Sequence, residues 1–533
     1  LKIGEHRHLE WPQIGRSVLG KFLLALPLTL LCDVPNTLEI LFVVAKALVC
    51  VLLTLVLVLP LRSALPILVL LAVVGRDAAD IAVNSSADEA SLPSIWLLYL
   101  GFIKPSWIIF GCLFVQIAKL TYREFPAYSK PALLWFLSVP IITGYLYGGF
   151  GGPESNIEVL VDLKFPIMLL GSLLLFASSF QTIPTAAPTI LSILLGGWMA
   201  RHLVDAAYVF LNIGPEIVEG VSQGSLDSAK GAAVFLAYFG AVIALVGRRV
   251  FVGLSIAIIS LALIGAYGTR LLGITLCLGT IPLLMLFGLR QRIVIFCVGG
   301  ALTLLSLTVL IAVNPRAAEF AQLRFATITE GRELNKFAVD VEPNVIARID
   351  PVRYGEFLNV LDTTSDRFSF LWGSGYGSYY EDRAIPFPDI VGQSGFVDYS
   401  LASGFFYRVH DFVVHVFFKF GLLGLAAILW LWIRPAAELF SLLRRTRPSA
   451  ARFNTYDCAL RCMVGFLVTC VLQFYWTGKG LFLSGIILAL CTDAVRRGSL
   501  ALKYPASLRD QPRPPTDNSS TAEKMLANIK HDR

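Results

Sequence analysis

Apolar runs alternate with short polar connections along most of this chain. Fourteen runs approach the ~20 residues needed to cross a bilayer as a helix. They lie near 18–32, 38–60, 64–82, 94–118, 131–149, 164–181, 185–203, 229–247, 250–268, 271–288, 292–313, 413–433, 458–475 and 480–495. The pattern predicts an all-α polytopic membrane protein of about 12–14 transmembrane helices. The lower figure holds if the first run is an interfacial helix and the break at Lys104-Pro105 removes another span. One stretch interrupts the alternation. Residues 316–415 are polar, aromatic and charged, and they lead directly into the apolar run that begins at Val413. The chain therefore divides into N-terminal transmembrane helices (1–313), one large folded extracytoplasmic loop with short helices (314–412), C-terminal transmembrane helices (413–495) and a tail (496–533). The tail is polar and Pro-rich, with Gln511-Pro512-Arg513-Pro514-Pro515, and is expected to be disordered and cytoplasmic.

Charge fixes the orientation of the predicted spans. With both termini in the cytoplasm, the inner connections carry Arg62, Lys119, Arg123, Lys130, Arg248, Arg249, Arg290, Arg292, Arg444, Arg445, Arg447, Arg496 and Arg497. The outer connections carry Asp33, Asp88, Glu89, Glu154, Glu158, Glu216, Glu219 and Asp227. This is the positive-inside pattern, and it puts the large loop outside. The first run is followed by Cys32-Asp33-Val34-Pro35 and lacks a small-residue cleavage site, so it reads as a short span or an interfacial helix rather than a signal peptide.

Composition agrees. The 533 residues are 56% hydrophobic and only 15% charged, with a mean hydropathy of +0.71. A soluble protein of this length could not cover that much apolar surface. All nine cysteines fall in or beside apolar runs and none in the large loop, which argues against a disulfide framework or a zinc site. No internal repeat is visible, which weighs against an inverted-repeat transporter.

Within the loop, Asp350-Pro351 opens a helical pattern with Phe357, Leu358 and Leu361 on one side. It ends at Asp362-Thr363-Thr364. Next comes Trp372-Gly373-Ser374-Gly375-Tyr376-Gly377, a glycine-dense turn that permits close backbone approach. Aromatic residues then recur, at Tyr379, Tyr380, Phe387, Phe396, Tyr399, Phe405, Phe406 and Tyr407. Such rings either sit at the lipid headgroup level or stack on sugar faces.

Topology brings three distant candidates to the outer face: Arg270 at the end of its span, Arg353 in the loop helix, and His410 just before the span that leaves the loop. An outward arginine departs from the positive-inside trend. A bound phosphate would explain it, because guanidinium pairs bidentately and keeps its charge; a snorkelling side chain at a helix end explains it equally well. Arg201 and Lys164 are two further positive groups at outer ends. Arg201 is a candidate for the same anion, and Lys164 is expected to pair with Asp162. His410 is a candidate general base, since histidine titrates near ~6.5, with Asp411 as one carboxylate that would orient it. Arg408, Asp411, Trp372 and Tyr376 complete the candidate contacts to a diphosphate or sugar. No metal-ligand spacing, Walker motif or dinucleotide fingerprint is present, so no metal, cofactor or nucleic-acid partner is expected.

Gly268-Thr269-Arg270, the stretch from Arg353 through Trp372-Gly373-Ser374-Gly375, and the stretch from His410-Asp411 through Phe420-Gly421-Leu422-Leu423-Gly424-Leu425 together resemble the O-antigen ligase and O-antigen polymerase superfamily. Asp411 stands where that family usually has Asn. The resemblance covers about 250–433. It implies a GT-C-like, metal-independent, inverting glycosyltransferase of the bacterial inner membrane with a periplasmic active site. Its donor would be an undecaprenyl-diphosphate-linked glycan, and its acceptor a lipid or glycan hydroxyl. Arg270 and Arg353 would hold the diphosphate, and His410 would act on the acceptor hydroxyl. No arginine in the loop is followed by glycine eleven residues later, which tilts the choice slightly from polymerase towards ligase. A lipid-linked oligosaccharide flippase or other polysaccharide transporter remains the alternative, with Lys46 and Lys104 as path-lining groups, and a non-catalytic envelope scaffold is a third.

Overall fold

The computed structural model describes residues 11–34, 38–75, 95–96, 105–119, 126–147, 155–211, 227–245, 249–266, 270–313, 351–387, 404–407, 409, 412–445, 455–472 and 478–503. Fifteen α-helices make up most of them. They are α1 (Trp11–Cys32), α2 (Glu39–Val58), α3 (Leu61–Val74), α4 (Pro105–Lys119), α5 (Lys130–Leu146), α6 (Ser155–Thr182), α7 (Ala186–Leu211), α8 (Asp227–Leu245), α9 (Val250–Ala266), α10 (Arg270–Met285), α11 (Leu289–Val313), α12 (Pro351–Asp366), α13 (Phe412–Arg445), α14 (Thr455–Leu472) and α15 (Gly478–Lys503). Each of the fourteen apolar runs contains one of these helices, and α12 lies in the large loop.

Boundaries shift where local chemistry overrides hydropathy. Within the run 94–118 the described helix opens at Pro105, and proline fits the first turn, where no intrahelical N–H is required. Trp96, before that helix, is buried and donates from Nε1 to the Ala72 carbonyl at 3.1 Å. At the other extreme, α15 continues past 495 to Lys503. Arg496 and Arg497 both pair with Asp493, three and four residues back, and both donate to the Phe180 carbonyl, so the expected start of the tail is still helix.

Five helices are long and apolar enough to cross a membrane by length and composition, and seven shorter apolar helices accompany them among the described residues. The protein is a mostly helical membrane protein. The apolar windows of α6 and α7 are 72% and 83% buried, whereas that of α2 is 11% buried, so α6 and α7 are central and α2 lies on the outside. Lipid is as apolar as leucine, so burial from water does not drive helix against helix here; close packing must. Small residues supply it. A Cβ on Gly240 of α8 would press on the Ala257 backbone of α9, and one on Gly485 of α15 would collide with Ser172 of α6.

Two ends of the bundle are defined by contacts. At one, Arg201 of α7 meets Asp33 just past α1, and Lys479 of α15 donates to the carbonyls of Val73 and Gly75 at the end of α3. At the other, Arg461 of α14 reaches the carbonyls of Leu286 and Leu443. The described segments of the large loop, 351–387, 404–407 and 409, sit on the first end. There α12 packs on a two-stranded antiparallel pair, β1 (Tyr380–Glu381) and β2 (Phe405–Phe406), in register Tyr380↔Phe406. Val360, Tyr380, Phe387, Phe406 and Val409 join Phe417 and Phe418 of α13 in a separate small core. Asn359 imitates a strand partner: its amide donates to the Ile385 carbonyl and accepts from the Ile385 N–H, both at 2.8 Å.

Candidate functional site

The loop is inserted into a broken helix. Helix α13 runs from Phe412, but its backbone turns at Gly421, with φ +68°. In an unbroken helix the carbonyls of Phe418 and Lys419 would accept from residues four further on. Here they accept from the N–H groups of Ser374 and Gly375, at 2.8 and 2.9 Å. Trp135 Nε1 serves the Phe420 carbonyl at 3.1 Å. The N–H groups of Leu422 and Leu423 donate to the carbonyls of Phe370 and Leu371, at 3.0 and 3.1 Å. The turn 370–375 therefore replaces the lost helical hydrogen bonds around the break. Away from water each unsatisfied backbone group would cost several kcal/mol, so a break at this depth needs such a partner.

Glycine is required at this contact. Gly373 and Gly375 have φ of +79° and +84°. A Cβ on Gly375 would overlap the Gly144 backbone of α5, and one on Gly421 would overlap the Leu371 carbonyl. Helix α5 is prepared on its own side by Pro140, which lacks the N–H that would bond the Phe136 carbonyl. Tyr376 takes its place: its hydroxyl donates to Phe136 at 2.9 Å and its N–H to Pro140 at 3.0 Å. Burial first, and the Asp162 carboxylate second, push the Tyr376 phenol well above its ordinary range.

Beneath the turn lies a buried ionic group. Asp162 of α6 accepts from Lys419 Nζ at 2.7 Å and from the Gly377 N–H at 2.8 Å. Lys419 also donates to the Ser378 carbonyl at 2.6 Å. The side chains of Lys419 and Asp162 are 0% and 3% exposed. His415, one turn earlier on α13, places Nε2 3.9 Å from the second oxygen of Asp162, beyond hydrogen-bond range. Its Nδ1 accepts from the Val409 N–H at 3.4 Å, so in the neutral ring the proton lies on Nε2. Intramembrane ionisable groups are costly, and these are matched to one another and to the loop.

The candidates from sequence separate into three groups. His410, Arg408 and Asp411 lie outside the described residues, as does the side chain of Arg270, whose backbone opens α10. Helix α10 ends near Arg461, so Arg270 begins at the end that carries the loop. Arg353 is half-buried on α12. The described residues that flank this stretch, Val409 and Phe412, are both buried, and the Val409 N–H donates to His415.

The structure corrects three expectations. Arg201 is buried and already paired, at 2.5 Å with Asp33 and 2.6 Å with Asp205, so it joins α1 to α7 instead of offering a fork to an anion. Lys164 was expected on Asp162; Lys419 occupies that carboxylate, and Lys164 Nζ lies 5.7 Å from the Trp107 ring centroid. Tyr376 is 1% exposed, with its hydroxyl committed to Phe136, so it supports the turn and is closed to a sugar. Trp372 does remain partly exposed, with Nε1 on the Tyr147 hydroxyl at 3.1 Å.

Lys419 and Trp135 were missed, and Asp162 was read only as a partner for Lys164. Pro166, four residues after Asp162, and Gly421, two after Lys419, mark distorted helix at both places and were the available signal. No protein-family model matches this chain, and no curated protein is significantly similar to it.

Proposed function

We propose that this protein is a membrane glycosyltransferase of the O-antigen ligase/polymerase type, transferring a polyprenyl-diphosphate-linked glycan to an acceptor hydroxyl in surface polysaccharide biosynthesis. The observation that supports it is the docking of Gly373-Ser374-Gly375 into the break at Gly421. These belong to two motifs of the resemblance, separate in sequence, and the chain on either side of His410 is pinned beside them. In this reading the bundle is GT-C-like with 12–14 spans, both termini are cytoplasmic, and the loop end faces the periplasm of a bacterial inner membrane. Arg270 and Arg353 hold the diphosphate and stabilise its leaving charge. His410 takes the proton of the acceptor hydroxyl as the new bond forms to the anomeric carbon. The Asp162–Lys419–His415 group acts as a positioning layer below it. No metal enters this scheme; the arginines supply the charge stabilisation.

The test is the fate of the lipid-linked glycan in cells whose only copy is His410→Ala at normal expression. Long chains stranded on the polyprenyl carrier identify a ligase, and single repeat units with no long chains identify a polymerase. An unchanged distribution removes His410 from the mechanism. A transporter reading draws on Asp33 and on the buried charges of α6, α7 and α13; it predicts that the carrier-linked glycan in an affected variant is trapped on the cytoplasmic face.

A further inference from the structure

Arg367 stands apart from every other buried or half-buried arginine described above. It directly follows α12, with its N–H donating to the Thr363 carbonyl. Its guanidinium lies over the Tyr379 ring, 5.2 Å from the centroid. Nη1 is buried and has no hydrogen-bond partner among the described residues. Burial lowers its pKa, and the surrounding charges leave that shift uncompensated. The nearby carboxylate, Glu381, is taken by Arg383 at 2.7 Å. A guanidinium left in this condition favours an incoming anion.

The surface beside it is apolar. Phe368, the next residue, is 83% exposed and is held at φ 51°, which a non-glycine residue rarely adopts. Leu371 and Trp372 are also exposed. The Trp372–Tyr147 hydrogen bond ties this patch to the end of α5. A cation at the rim of a lipid-facing apolar surface selects a ligand with an anionic head and an apolar tail.

We propose that Arg367 and this surface form a site for one anionic phospholipid. The headgroup phosphate pairs with the Arg367 guanidinium, and an acyl chain runs along the exposed side chains of Phe368, Leu371 and Trp372. The bound lipid fixes the height of the loop against the membrane. This inference does not depend on the transferase reading.

Native mass spectrometry of the purified full chain tests it, with phosphatidylglycerol, phosphatidylcholine and a polyprenyl monophosphate as probes. The wild type is expected to retain phosphatidylglycerol over phosphatidylcholine. Arg367→Gln, at unchanged melting temperature, should weaken retention by about tenfold, the effect of losing one charge-assisted pair. Phe368→Asp sets a negative charge at an exposed position where little packing is lost, and it should weaken retention as well. Arg434→Gln, an exposed arginine paired with Glu438 far along α13 from the loop, should leave it unchanged. Equal retention by wild type and both site variants overturns the proposal. So does displacement of phosphatidylglycerol by an equal or lower concentration of polyprenyl phosphate, which would assign the site to the carrier.

Discussion

Two buried ionic groups lie at the same end of this bundle, and they differ in what they hold. Arg201 is enclosed by Asp33 and Asp205, a cation whose fork is filled by carboxylates from its own helix and from the end of α1. That group ties helix to helix. The Asp162–Lys419 pair reaches out of the bundle to the backbone of Gly377 and Ser378, and His415 links it to Val409. Buried charge is poor evidence for stability as such, because a well-packed apolar replacement often serves as well. The direction in which each group's hydrogen bonds point distinguishes a clamp from a support for a site.

The largest effect is expected where the loop enters the broken helix. Gly375→Val puts a branched side chain at positive φ and onto the Gly144 backbone. It should undock the turn, at a cost of ~4 kcal/mol or more, read as a lowered melting temperature and new protease sensitivity in the loop. Next come the two ionic groups. Lys419→Met takes the cation from one buried carboxylate and Arg201→Met from two, and each should cost at least about 3–5 kcal/mol. The comparison sharpens when the partners are removed as well. Arg201→Met with Asp33→Leu and Asp205→Leu should recover both melting temperature and glycan transfer. Lys419→Met with Asp162→Leu should recover melting temperature but not transfer; full transfer in that variant would reduce the second group to a clamp like the first.

Smaller changes follow at single hydrogen bonds. Tyr376→Phe leaves the Phe136 carbonyl without its donor in a buried place and should cost about 1–2 kcal/mol by thermal unfolding. Trp372→Phe removes a half-exposed bond to Tyr147 and should shift stability by less than ~0.5 kcal/mol, leaving it as a probe of ligand contact rather than of folding.

The helices were legible because a membrane span is written in one long apolar run, and each such run contains a helix. The loop helix was legible from Asp350-Pro351 and the spacing of Phe357, Leu358 and Leu361. The tight turn was legible from Gly373, Gly375 and Gly377. What the turn touches was not. The partner of Gly375 is Gly144, and the partner of Asp162 is Lys419, each more than two hundred residues away in sequence. Hydropathy also ranks Lys419 as an interruption in a span, although its ammonium is fully matched. Arg201 shows the converse: its place at an outer helix end suggested an anion, and the two carboxylates that enclose it, one of them 168 residues earlier, carry no local mark. Gly421 stood within one motif of the resemblance, whereas Pro140 and Pro166, each lacking the N–H that would bond the carbonyl four residues back, were available signals that were not read.

The most direct measurement is whether Arg353 and His410 share one site. Cysteines placed as Arg353→Cys and His410→Cys would be treated with a thiol crosslinker spanning about 15 Å, the separation over which one substrate can still bring both groups within hydrogen-bond reach. The account predicts an intramolecular crosslink in the folded protein. Efficient labelling of each single cysteine with no crosslink in the pair would contradict it.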